Sequence, residues 1–173
     1  MLAGVSLLRM GVGDDVLAVS AAHRLGLVRT HQWPMVAAVL VAAGHDGEAL
    51  VHAAGLPRGA SGWQVDQLLP QPLAELGAPA VDVDQAGEIA ARLLALSSRK
   101  SGHPVIRALA PLAPRLDYPG GRIGQAYQLS EWLDCNCQDG SQERVEADRF
   151  EDEVRHLPAL DIPPGLADAL TSG

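Results

Sequence analysis

Residues 84–98 read DQAGEIAARLLALSS, and this stretch decides the fold. Ile89, Leu93 and Leu94 recur at helical spacing and share one face. Glu88 and Arg92 stand one turn apart on another face, where opposite charges support a helix. Asp84 is placed to cap the start, because its carboxylate can accept from a free first-turn amide. No alternation of apolar and polar residues competes with this helical period.

The same signals recur on both sides. Upstream, Asp14 and Asp15 lead into VLAVSAAHRLGLV, with acids at the start and basic residues near the end, as the helix dipole prefers. Trp33-Pro34 opens a helix that Gly44 closes, and Asp46 is read as the cap of GEALVHAA, which ends at Gly55. Two helices joined by a Gly-His-Asp turn form an αα-hairpin. Ser61 caps GWQVDQLL, Pro70 and Pro72 interrupt it, and PLAEL runs on to Gly77. The stretch APAVDV is too short to stand as a strand.

Downstream, Pro104, Pro111 and Pro114 divide residues 99–120 into one short helix and a loop over Tyr118–Gly121. Residues 122–133 and 142–156 read as helices separated by the polar loop DCNCQDG, and Pro163-Pro164 begins a short terminal helix, GLADAL. The expectation is an all-α, irregular multi-helix bundle of about eight short helices, with a short α-solenoid as the alternative. No fixed repeat period supports the solenoid.

Composition fits that reading. The chain has 173 residues, enough for one domain, and residues 1–173 are read as a single helical domain with 1–10 as a disordered tail. Aromatics are 3 % of residues, so the core rests on Ala, Leu and Val. Twelve arginines against the single Lys100, with abundant Ala, Gly and Leu, point to a GC-rich, bacterial genome. The N-terminal apolar run is short and has no basic residue before it, which argues against a signal peptide. No stretch approaches the roughly 20 apolar residues that span a bilayer. A soluble, cytoplasmic protein is expected.

Chemical motifs are sparse. The segment EALVHAAGLPRGASGWQVDQLL has a helix-turn-helix cadence, which would suit a transcriptional regulator. Its second helix offers Gln64, Asp66 and Gln67 without a basic residue to meet phosphate, so nucleic acid is disfavoured. His45, Glu48 and His52 fall at i, i+3 and i+7, and Glu153 with His156 forms one Glu-x-x-His. These are metal-ligating types, and a metal-binding helical enzyme or sensor is the alternative function. A di-iron bundle needs that motif twice, however, and no cofactor or metal is expected. The loop from Asp134 to Glu143 fails the calcium-loop frame, with Gln138 at position 5 and Asp139 at position 6. Cys135 and Cys137 have no assignable partner ligands, and no nucleophile elbow or phosphate loop occurs.

Charge placement carries what functional signal there is. Residues 1–130 hold ten basic and ten acidic side chains, whereas residues 131–173 hold three and eleven, so the second part carries the whole net charge of −8. Arg99, Lys100, Arg107, Arg115 and Arg122 form a basic stretch ahead of it. Within the acidic part, Glu143, Glu146, Asp148, Glu151, Asp152 and Glu153 crowd one helix, where Val145, Phe150, Val154 and Leu157 are read as the packed face. An acidic surface steers a basic partner. The expectation is a non-enzymatic protein-interaction domain, one version being an immunity- or antitoxin-type inhibitor whose six carboxylates meet a basic protein. Exposed leucines offer a homodimer face as well.

Overall fold

The computed structural model describes residues 12–57, 60–97, 103–134 and 141–171. The tail expected at 1–10, Arg99 and Lys100, and both cysteines lie outside the described residues.

The chain folds as an all-α, irregular multi-helix bundle. The α-helices among the described residues are α1 (Asp14–Leu25), α2 (Trp33–Ala42), α3 (Glu48–Ala54), α4 (Gly62–Leu68), α5 (Pro70–Glu75), α6 (Val83–Ser97), α7 (Pro104–Leu109), α8 (Gly121–Asp134), α9 (Ser141–Arg155) and α10 (Leu166–Thr171), with single 3-10 turns at Thr30–Gln32, Ala110–Leu112 and Pro114–Leu116. No strand occurs among those residues, and 78–82 is irregular. Residue 69 keeps helical angles between α4 and α5, and Pro70 opens α5 at its first position. None of the helices is long and apolar enough to cross a membrane.

α6 stands at the centre because it is apolar on two sides. Ala86, Ala90, Ala91 and Leu94 enter a core built with α7, α8 and α9, while Leu93 enters a second core built with α2, α3 and α10. α1 lies along it and divides in the same way: Ala21 and Leu25 face the first core, Ala18, Val19 and Ala22 the second. The alanines of both helices let their backbones draw close. Each fully buried valine, leucine or isoleucine of these cores contributes about 1.5–3 kcal/mol. α6 and α8 approach closely at Gly87, where a Cβ would stand 3.1 Å from Cγ1 of Ile123 on α8. A glycine inside a helix costs about 1 kcal/mol of propensity, and here it makes room for that isoleucine.

The solenoid alternative does not hold. In a solenoid each helix meets only its sequence neighbours. Here α1 packs on α6, and α10 returns to α2 and α6. The αα-hairpin of α2 and α3 is present. Two of the expected caps are corrected. Asp82, not Asp84, caps α6 by accepting from the amide of Gln85 at 2.8 Å. α3 starts after Gly47 rather than after Asp46, and its first amides are served by Glu75 from α5. α1 ends one turn short of the residues read as helical, because Gly26 turns into the left-handed region (φ +63°) and Leu27 donates back to Ala22.

Candidate functional site

The acidic residues singled out above sit on α9, a 15-residue helix. Ala147, Phe150, Glu151 and Val154 are buried, at spacings of three, one and three residues, which is one helical stripe. That stripe packs α9 against α6, α7 and α8. Leu157 is half-buried, as expected of the packed face, but Val145 is 62 % exposed and belongs to the outer side.

The six carboxylates therefore do not form one surface. Glu146, Asp148, Asp152 and Glu153 are exposed, Glu143 is half-buried, and Glu151 is buried. Glu151 Oε1 accepts from the amides of Val105 and Ile106 at 2.8 and 3.0 Å. It serves as the cap of α7, whose own preceding residue, His103, supplies no side-chain cap. Asp148 Oδ1 lies 2.9 Å from His103 Nε2 at the same junction. Arg144, Arg149 and Arg155 interleave with the exposed acids, so the outer face is mixed in sign with an acidic excess.

Glu153 is held by Arg122 of α8. The guanidinium donates through Nε to Glu88 of α6 and through Nη2 to Glu153, each at 2.9 Å, and lies over the Phe150 ring. Burial alone would lower the pKa of Arg122. The hydrogen bonds and charges of Glu88 and Glu153 outweigh that and raise it, which keeps the cation in place. Arg122 is thus a tie between three helices rather than part of a free basic surface.

The residues of the metal alternative are not brought together. α3 begins at Glu48, so His45 lies outside the helix that was to align it with Glu48 and His52. His45 Nε2 instead meets Asp15 Oδ2 at 2.6 Å, joining the α2–α3 turn to the start of α1. His52 points into solvent, and His156 Nδ1 lies 2.7 Å from the carbonyl of Asp152. No group of three or more His, Cys, Asp or Glu side chains that could hold a metal ion occurs among the described residues. In the helix-turn-helix segment, Gln64 is taken up in the capping box with Ser61, and Asp66 accepts from Thr30.

An apolar cavity of about 20 Å³ lies between α1 and α2–α5, walled by residues such as Val19, Leu40, Leu50, Val65 and Leu73. It has room for about one water molecule and no converging polar groups. Of the leucines offered for self-association, only Leu96 is well exposed among the described residues. No protein-family model, curated protein or solved structure matches the chain.

Proposed function

We propose that this chain is a non-enzymatic protein-interaction domain that docks the outer face of α9 onto a basic partner, in the manner of an acidic immunity- or antitoxin-type inhibitor. The supporting observation is the solvent-facing stripe Val145, Asp148, Arg149 and Asp152, flanked by Glu146. An exposed aliphatic side chain ringed by charge has the composition of a small contact centre with a polar rim. The excess of carboxylates on that face and the net charge of −8 favour a cationic partner and a fast, salt-sensitive encounter.

The experiment is affinity capture from an extract of the source cells, with wild type and with Glu146→Lys/Asp152→Lys side by side. Both positions are exposed, so the reversal changes charge without opening the core. The expected outcome is a basic protein retained by wild type at low salt, released as salt rises, and lost by the double variant. Retention of the same protein by both forms, or of acidic partners only, would sink the reading.

A further inference from the structure

A shallow cleft opens on α9, lined by Asp148, Arg149, Glu151, Asp152 and Arg155. Glu151 is its innermost residue, only 1 % exposed. Its Oε1 is already engaged by the Val105 and Ile106 amides. Its Oε2 is buried and accepts no hydrogen bond from any described residue. Arg155 Nη2 stands 3.8 Å away, an ion pair beyond hydrogen-bonding reach. A carboxylate oxygen withdrawn from water without a donor is costly, so this atom calls for one. The lining has three carboxylates against two guanidiniums, which favours a cationic donor.

We infer that this cleft receives the ε-ammonium of a lysine side chain from the docking partner, with Glu151 Oε2 as its terminal acceptor. The inference rests on the docking face described above and names the side chain that face recognises. Lysine fits better than arginine for a geometric reason. A guanidinium fork binds best across both oxygens of a carboxylate, and Oε1 is occupied by backbone amides. An ammonium is compact and needs only one oxygen here. Its other two N–H groups remain for Asp148 and Asp152 on the cleft wall. Arg155 is half-exposed on a flexible stem and competes for the same oxygen, so it must swing aside as the lysine enters.

The test uses the full chain and fluorescently labelled octalysine and octaarginine peptides, with binding read by anisotropy. Wild type is expected to prefer octalysine. Glu151→Gln keeps a carbonyl oxygen for the α7 amides and is expected to weaken octalysine about tenfold. Glu146→Gln makes the same charge change outside the cleft and is expected to weaken it far less. Arg155→Gln is expected to tighten octalysine by several-fold, and Arg144→Gln, on the same helix but outside the cleft, by much less. If Glu151→Gln does not fold, the Arg155 and Arg144 pair decides the question. Equal losses for the two glutamates, or equal gains for the two arginines, would overturn the pocket and leave the docking face standing. Octaarginine bound as tightly as octalysine would also overturn it. Failure of the docking face shows separately, as capture of the native partner unaffected by Glu146→Lys/Asp152→Lys.

Discussion

At position 151 the buried stripe of α9 places a carboxylate between Phe150 and Val154, where packing alone would favour a hydrophobe. The spacing of Ala147, Phe150 and Val154 was a signal that residue 151 faces inward. What it could not supply was the partner, because the amides of Val105 and Ile106 lie 46 and 45 residues away. His23 illustrates a different dependence on surroundings. Its ring meets the edge of Trp33 at 5.8 Å, and partial burial lowers its pKa below the ordinary histidine value of about 6.5. The unfolded chain then binds this proton more readily than the folded one. The stabilising contribution is therefore complete above about pH 6.5 and is lost as pH falls through the lowered folded value. A proton NMR titration should place the His23 midpoint below that of a free histidine, and Trp33→Leu should move it back. A midpoint at or above the free value would show that burial does not govern this ring.

Short helices pose a problem at the scale of the element, because a six- or seven-residue helix leaves most of its end groups unbonded. α4 solves it locally: Ser61 and Gln64 exchange hydrogen bonds at 3.0 and 3.3 Å, and the Ser61 cap was legible in the sequence. α3 and α7 solve it at a distance, through Glu75 and Glu151. Removing the first of these carboxylates with Glu75→Ala should cost about 1 kcal/mol at the start of α3. Hydrogen exchange at Ala49 and Leu50 should then speed up by roughly tenfold. Glu75→Gln should recover part of the protection, and the amides of α4 should not change. Exchange at Ala49 that is indifferent to Glu75→Ala would mean that water serves those amides equally well.

Across the whole molecule, α1 and α6 contribute side chains to both cores, so neither core is complete without the other. One cooperative unfolding transition is expected as a result. Trp33 is buried in the second core, whereas Trp63 and Trp132 are 68 and 51 % exposed. The change in tryptophan emission should therefore follow Trp33, while far-ultraviolet circular dichroism follows all the helices. Coincident urea midpoints are expected from the two probes. A separate, earlier emission transition would show that the second core melts alone.

The sequence by itself determined the all-α class and the approximate course of its helices. Helical periodicity, proline starts, glycine ends and the Ser61 cap are written in residues a few positions apart, and their energetics are local. Only the tertiary structure decided which way each charged side chain on α9 points and what it does there. It turned Glu151 inward to cap α7, tied Glu153 through Arg122 to a glutamate 34 residues from that arginine, and left Val145 outside. A buried carboxylate is stable only where donors converge on it, and folding brings those donors from distant parts of the chain.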